Sequence, residues 1–295
     1  MKQHKSGLTL RLLAILAVLA LIVAACGGDD GEGGGDGNGD GELAELFPDG
    51  SVTIGIANEI PYGYEDESGE ATGEAPEVAK AILTELGITE IDATVVDFGA
   101  LIPGLQAGEY DMIAAGMFIT PERAQEIIFS DPDYCGATAF AVPEGNPDGL
   151  TDFQSVVDAG IDLGVLSGAV EEGYALDSGV PDGNVIRFGE TAQAFDALAN
   201  GRIAAVALTD VTVATQVAGL EGFESTEAFI PVIDGEEKLG CGGFGFIDQE
   251  FRDIFNAKLK EFQEEDKILP IVEEFGFSEA SVEKAAELTV EDLTG

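Results

Sequence analysis

The chain has 295 residues, of which 57 are acidic and 13 are basic, and its formal net charge is −44. So acidic a chain has no basic stripe for a phosphate backbone, which excludes nucleic acid as a partner. The only histidine is His4 and there is no tryptophan. The chain after His4 can therefore form neither a histidine-based catalytic triad nor a His-ligated zinc site. We expect no metal and no cofactor.

The first 25 residues have the pattern of a secretory signal peptide. Lys2, Lys5 and Arg11 precede an apolar stretch at 12–23, which is too short to span a bilayer comfortably. The small residues directly before Cys26 resemble the lipobox of bacterial lipoproteins. An ordinary secretory signal with a chance cysteine is the alternative. We expect cleavage to leave a lipidated Cys26, which tethers the protein outside the cytoplasmic membrane as its only membrane contact.

Residues 26–46 are predicted to be a flexible tether. The segment is rich in glycine and aspartate, and residues 27–45 contain no aromatic or β-branched side chain that could be buried. Without the signal peptide, which carries three basic residues and no acidic one, the net charge is −47. Self-repulsion of this size is heavily screened in brine, which favours a salt-exposed source organism.

From residue 51 onward, strand and helix patterns alternate. Strands are predicted at 52–57, 91–96, 112–115, 137–142, 162–166, 203–208 and 242–247. Helices are predicted at 76–86, around 102–105 with a stop at Gly108, from 120, after Thr151, from 169, at 191–200, and around 251–262 and 268–275. Two runs of βα units in about 250 folded residues indicate an α/β fold with two lobes.

Two cysteines remain besides Cys26. A pair of thiols in a secreted chain favours a disulfide over a metal or nucleophile pair. If the chain leaves the first lobe near Cys135 and returns near Cys241, the two lie together at a two-strand hinge. We therefore predict lobe one at 47–136 plus 241–283, lobe two at 137–240 and an acidic tail at 284–295.

One motif imitates a nucleotide-binding loop. Residues 240–245 read G-C-G-G-F-G and match the glycine spacing of a dinucleotide fingerprint. No clear βα entry precedes it, and no acidic residue about 20 positions later ends a strand, as that fingerprint requires. Because glycines suit hinge strands equally well, nucleotide binding is disfavoured.

Several motifs resemble the type II solute-binding proteins of ABC importers for amino acids. They are L-I-P-G-L-Q-A-G-E-Y-D (101–111), T-P-E-R (120–123) and F-S-D-P (129–132), and the resemblance covers residues 50 to about 280. Within that family the chain is most similar to ectoine/hydroxyectoine-binding proteins, through the segments 56–62, 73–79 and 116–123 and the two hinge cysteines. The resemblance implies a type II periplasmic-binding-protein fold and a non-enzymatic, monomeric receptor that delivers a small zwitterion to a membrane permease.

The resemblance also implies a binding site in lobe one. General amino-acid binders carry an aspartate near position 56 and a serine at the position of Phe118, and this chain has neither. Glu59 stands there instead, with an aromatic box of Tyr62, Phe98 and Phe118. Aromatic faces attract a delocalised cation, and Glu59 would accept the ring N–H groups of a cyclic amidinium. Arg123, which follows a buried strand where open α/β sheets bind ligands, would take the carboxylate in a bidentate pair.

Three further positions belong to the predicted site. Gly116 opens the G-M-F-I-T-P-E-R motif. Val170 stands where the family usually has threonine, so only its backbone N–H at a helix start could bind a carboxylate. Asp210 falls where many amino-acid binders hold the α-ammonium group, although it could equally cap a helix.

Other interpretations stay open. Each aromatic residue could belong to the core, Glu59 could be a solvated loop acid, and Arg123 could pair with Glu122 or Glu126. A polar amino-acid receptor is the alternative within the binding class. A periplasmic dehydratase of the same fold, with Glu59 as general acid, is the enzymatic alternative, and a tethered sensor lobe is a third.

Overall fold

The computed structural model describes residues 41–295. The predicted signal peptide, Cys26 and most of the tether lie outside the described residues. Within 41–295, every helix is too short or too polar to cross a bilayer.

The described part of the chain forms fifteen strands and ten α-helices. The strands are β1 (Ser51–Ile56), β2 (Tyr64–Glu65), β3 (Ala71–Thr72), β4 (Glu90–Val95), β5 (Met112–Phe118), β6 (Ile128–Phe129), β7 (Tyr134–Gly136), β8 (Thr138–Pro143), β9 (Leu163–Leu166), β10 (Val185–Phe188), β11 (Ala205–Thr209), β12 (Phe223–Ser225), β13 (Val232–Ile233), β14 (Glu236–Glu237) and β15 (Gly240–Phe246). The helices are α1 (Glu74–Glu85), α2 (Leu101–Ala107), α3 (Phe153–Ala159), α4 (Val170–Asp177), α5 (Thr191–Ala199), α6 (Asp210–Val217), α7 (Gln249–Glu264), α8 (Leu269–Val272), α9 (Glu279–Ala286) and α10 (Val290–Thr294).

Two mixed sheets divide these elements into two lobes. Lobe one is built on a six-stranded sheet of order β4-β1-β5-β15-β6, with β7 also paired to β15. Lobe two is built on a five-stranded sheet of order β10-β9-β11-β8-β12. In each sheet the parallel strands are joined by helical crossovers, and one long strand, β15 or β8, runs antiparallel. The predicted fold of two α/β lobes joined by a two-strand hinge is confirmed.

A disulfide joins the two segments that cross between the lobes. The pairing of β7 with β15 sets Cys135 directly opposite Cys241, and the two are bonded as predicted. The C-terminal helices cover this bridge. Ser281 Oγ donates a hydrogen bond to the Cys135 carbonyl at 2.5 Å, and Leu288 and Leu293 pack beside the disulfide. The hinge is therefore both cross-linked and shielded from water.

The two ends of the folded region extend further than the sequence analysis expected. The tether was predicted to run to residue 46, but Leu43 is already fully buried in the core of lobe one. The acidic tail was predicted from residue 284, but α9 continues to Ala286 and α10 follows it. The Val290 N–H donates to Asp131 Oδ1 at 2.9 Å. In both segments a few apolar side chains among many acidic ones are enough to fix the chain to the core.

Three local predictions differ from the structure. The helix expected from Thr120 is only a 3₁₀ turn at Arg123–Gln125. The N-cap of α3 is Asp152 and not Thr151, because Asp152 and Ser155 form a capping box. Eight of these fifteen strands were not predicted, among them β10 and β12 of the lobe-two sheet. Both lie at an edge of the lobe-two sheet and are only partly buried, so their hydrophobic pattern is weak.

The glycine-rich segment at 240–245 is strand β15 of the lobe-one sheet, with antiparallel neighbours on both sides. At Gly240, a Cβ would collide with the ring of Phe118. The glycine there is required by the close approach of an aromatic side chain to the strand, and at Gly242 a Cβ would likewise collide with the ring of Tyr134.

Candidate ligand-binding site

A cavity lies between the lobes at the carboxyl ends of their strands. Loops at this edge of an open α/β sheet are where such folds bind ligands. The cavity is small, about 20 Å³ in volume. Lobe one contributes Glu59, Tyr62, Phe98, Gly116, Phe118 and Arg123 to its walls, and lobe two contributes Leu166, Ala169, Val170, Glu171, Leu208 and Thr209.

Three aromatic rings form the lobe-one wall. Tyr62, Phe98 and Phe118 are 1, 7 and 5% exposed, so each ring is almost wholly out of water. Tyr62 is supported from behind by Tyr134 and Phe277, whose ring centroids lie 5.2 Å from its own. The Tyr62 hydroxyl is buried and has no hydrogen-bond partner among the described residues. Such a group is available to a ligand hydroxyl or carboxylate.

Gly116 allows the tyrosine ring to approach the backbone. Its φ is +61°, and a Cβ at this position would overlap the Tyr62 ring. Its carbonyl accepts a hydrogen bond from the Tyr134 hydroxyl at 2.6 Å. The residue thus positions two aromatic side chains without offering a side chain of its own.

Arg123 is 9% exposed and holds its guanidinium against the cavity. One terminal nitrogen donates to the Phe118 carbonyl at 2.6 Å, and the other donates to the Gly168 carbonyl of lobe two at 2.9 Å. The guanidinium carbon lies 5.4 Å from the centroid of the Phe98 ring. Burial lowers the pKa of Arg123, and the nearby Glu171 carboxyl opposes that shift. The arginine is fixed in place and keeps further N–H groups for an anion.

Glu59 is held by a tight turn after β1. Its backbone exchanges two hydrogen bonds of 3.0 Å with Gly63, around a cis peptide bond between Ile60 and Pro61. Its side chain is 5% exposed and accepts a hydrogen bond of 2.9 Å from the Thr212 hydroxyl of lobe two. Burial raises the pKa of Glu59 to about 7, while the Thr212 bond lowers it and Glu171 raises it.

Glu171 is a second carboxyl group at the cavity, on the second residue of α4. It is 2% exposed, and its Oε1 has no hydrogen-bond partner among the described residues. Burial raises the pKa of Glu171 to about 7, and Arg123 opposes that shift. With Glu59 and Arg123, the cavity holds two carboxyl groups and one guanidinium. Its charge therefore favours a ligand that brings a positive group.

Seven of the eight predicted ligand-binding residues line this one cavity, and Asp210 does not. Asp210 is the first residue of α6, and its Oδ1 accepts a hydrogen bond from the Ala137 N–H at 3.3 Å. The N-cap of that helix is Thr209, whose hydroxyl accepts from the Thr212 N–H at 3.4 Å. Asp210 thus binds the backbone at Ala137, where the chain leaves the hinge and enters lobe two.

Glu171, Thr209 and Thr212 were not predicted from the sequence. Glu171 follows the predicted Val170 directly, but one acid among 57 carries no signal of its own. The two threonines look like ordinary helix-start residues. Only the packing of α6 against the Glu59 loop places Thr209 in the cavity wall and Thr212 behind the Glu59 carboxyl group.

The comparisons with known proteins agree with this architecture. The chain matches the family of bacterial extracellular solute-binding proteins, family 3, over residues 52–278. It is 33% identical, over 96% of its length and 92% of the other's, to the protein named "Probable amino-acid ABC transporter periplasmic-binding protein" of Sinorhizobium fredii.

Two solved structures are similar. The crystal structure of EhuB in complex with hydroxyectoine has 34% sequence identity and a TM-score of 0.78, covering 86% of this chain and 98% of that one. An ancestral arginine-binding protein bound to glutamine has 28% identity and a TM-score of 0.67, covering 77% and 97%.

The family match covers most of the chain and indicates a non-catalytic solute-binding protein, so the dehydratase interpretation is not supported. With two hinged lobes and a cavity at their facing edges, this chain belongs to the bacterial extracellular solute-binding proteins of family 3 and is the solute-binding protein of an ABC importer.

Proposed function

We propose that the protein captures a small zwitterion with a planar, delocalised cation and one carboxylate, namely ectoine or hydroxyectoine. The observation that carries the proposal is the composition of one cavity: three buried aromatic rings, two buried carboxyl groups and one buried arginine. Each of these groups has a natural partner on such a ligand.

The amidinium group in the ring of ectoine is planar and carries two N–H donors. Tyr62, Phe98 and Phe118 would face this ring, and each well-placed aromatic face stabilises a cation by about 0.5–2 kcal/mol. Glu59 and Glu171, from opposite lobes, would each accept one ring N–H. Arg123 would bind the carboxylate through the N–H groups that it does not donate to the protein backbone.

Lobe closure would complete the site. The enclosed volume of about 20 Å³ is enough for roughly one water molecule, so the lobes must separate to admit a ligand of this size. Closing again would remove water and strengthen the charge interactions with the ligand. We expect a dissociation constant around micromolar, about −8 kcal/mol.

Titration calorimetry in high salt tests the proposal. With the chain from residue 26 onward carrying Cys26→Ser, ectoine and hydroxyectoine should bind, and glutamine and arginine should compete weakly or not at all. Phe118→Ala should weaken ectoine binding at least about tenfold, because the lost ring face is fully desolvated. Phe47→Ala is the matched control, since that ring packs on Phe251 at 4.9 Å, away from the cavity.

A polar amino-acid receptor is the alternative, and the amino-acid-binding relatives favour it. A calorimetric signal of binding with glutamine or arginine, and none with ectoine, would contradict our proposal. In that case an α-ammonium group would take the place of the amidinium ring, and Asp210 would be the next residue to test.

We also propose that Cys26 carries a lipid after removal of residues 1–25, with residues beyond it as the tether to the cell membrane and a membrane permease as partner. Wild-type protein expressed in a bacterial host should sediment with membranes, whereas Cys26→Ser should appear in the soluble extracytoplasmic fraction. Cys135→Ser combined with Cys241→Ser is the control and should stay with the membrane. A wild-type protein found wholly in the soluble fraction would contradict the anchor.

A further inference from the structure

One hydrogen bond between buried side chains joins the lobes beside the cavity. Thr212 Oγ1 donates to Glu59 Oε1 at 2.9 Å, and Thr212 is fully buried. Thr212 does not line the cavity itself. It lies on α6 of lobe two, behind the carboxyl group that belongs to the lobe-one loop.

We propose that Thr212 is the positioning residue of the binding site: it orients the Glu59 carboxylate towards the ligand and makes that orientation available only when the lobes close. The inference rests on the proposed function, because it assigns Glu59 to the cation of the ligand. Thr212 would not touch the ligand.

The geometry explains why this residue is needed. The Glu59 side chain leaves a rigid turn, but its carboxyl group has no hydrogen-bond donor from lobe one among the described residues. A buried carboxylate without a donor would rotate or take up a proton. The hydroxyl of Thr212 fixes one oxygen and leaves the other for the ligand. Because the donor belongs to lobe two, an open cleft would leave Glu59 unoriented.

The charged surroundings make the role measurable. Two further carboxyl groups lie near Glu59, those of Glu171 on α4 and Asp210 on α6. The phenol of Tyr62 and the guanidinium of Arg123 complete the titratable and charged groups around it. Burial and Glu171 raise the pKa of Glu59, and the Thr212 bond opposes them. Removing the hydroxyl should therefore raise the pKa of Glu59 further. A protonated Glu59 presents an O–H donor to a ligand N–H donor and cannot accept from it.

The test compares Thr212→Val, which has nearly the same shape without the hydroxyl, with Thr212→Ser, which keeps it. Ectoine titrations are made at pH 6.5, 7.5 and 9. We expect Thr212→Val to bind about tenfold or more weakly at pH 6.5. The gap should narrow at pH 9, where Glu59 ionises without help. Thr212→Ser should follow the wild type at every pH.

Three results would overturn the inference: wild-type affinity in Thr212→Val, a loss of the same size at pH 6.5 and pH 9, or an equal loss in Thr212→Ser, which would indicate packing alone. Absence of ectoine binding by the wild type would overturn the proposed function instead.

A measurement on the closed protein still decides on Thr212 when ectoine does not bind. The lobes are then closed with the solute that does bind the wild type, glutamine or arginine, and ¹³C carboxyl titrations follow the Glu59 signal, assigned through Glu59→Gln. Glu59 should titrate at higher pH in Thr212→Val than in the wild type and Thr212→Ser, and equal titration in all three solute-bound proteins would also overturn the inference.

Discussion

Replacing Arg123 with glutamine is expected to weaken ligand binding by at least about 100-fold. Each hydrogen bond to a charged partner stabilises by about 1.5–3 kcal/mol, and a bidentate pair contains two of them. The cavity makes the loss larger than on an exposed surface, because Arg123 is 9% exposed and little water can replace it. Without the guanidinium, the carboxylate of the ligand would also meet two carboxyl groups, those of Glu59 and Glu171.

Arg123→Lys separates charge from geometry in this prediction. A lysine keeps the positive charge but lacks the planar fork that donates to the Phe118 and Gly168 carbonyls. We expect its affinity to lie between those of the wild type and Arg123→Gln. Arg202→Gln, at an exposed position of lobe two, is the control and should bind normally. Circular dichroism melting curves should show that all variants fold.

The measurement is calorimetric titration with ectoine at constant high salt. Affinity within about threefold of the wild type in Arg123→Gln would contradict the assignment of the ligand carboxylate to this residue. Equal losses in Arg123→Gln and Arg123→Lys would instead mean that the fork matters more than the charge.

The lobe-one side of the site could be predicted well, because the residues of the family motifs there are also the residues whose side chains suit the ligand. Glu59, the three aromatic residues and Arg123 are unusual residue types at the ends of clearly patterned strands. In a chain with so few basic residues, a single arginine after a buried strand stands out. The α/β class followed from the same alternation of strand and helix patterns.

The lobe-two side was harder to predict for a physical reason. Its contributions are a backbone carbonyl at Gly168, a carboxyl group at Glu171 and the hydroxyl of Thr212. None of these is a rare residue type in this chain. Their role depends on how the two lobes pack against each other. Such contacts join residues far apart in the chain, and local sequence patterns do not predict them. Asp210 illustrates the converse, since its position suggested the cleft but its side chain binds the hinge segment at Ala137.

A second large effect is expected at a buried carboxyl pair behind the aromatic wall: the protein should lose stability as pH rises, and Glu74→Gln should remove part of that loss. Glu74 begins α1 and is fully buried, and Asp133 precedes hinge strand β7 and is 2% exposed. Both oxygens of Glu74 and the Oδ2 of Asp133 have no donor among the described residues. Burial raises the pKa values of Tyr62 and Tyr134, and the charge of the nearby Glu74 adds to both shifts.

Two ionised carboxyl groups can only accept hydrogen bonds, so a shared proton is the natural link between them. Burial raises the pKa of Glu74 well above its usual value, and it raises the pKa of Asp133 to about 6. The folded protein therefore keeps protons that the unfolded chain has lost above about pH 4. The free energy of unfolding should fall as pH rises through pH 4 to 6 and beyond. For Asp133, a rise from 3.8 to about 6 corresponds to about 3 kcal/mol.

Urea unfolding from pH 4.5 to 8.5, at constant high salt, measures this dependence. In Glu74→Gln the amide N–H can donate to Asp133 at any pH, so the variant should be about 1–3 kcal/mol more stable than the wild type at pH 8 and no more stable at pH 4.5. Glu279→Gln is the control: it lies at the same first position of its helix, α9, but is exposed, and it should follow the wild-type curve. Glu59 and Glu171 add to the wild-type slope, but they are present in every variant, so the difference between curves belongs to the pair. Parallel curves for Glu74→Gln and the wild type would show that the two carboxyl groups do not share a proton, and that each buried oxygen is satisfied in another way.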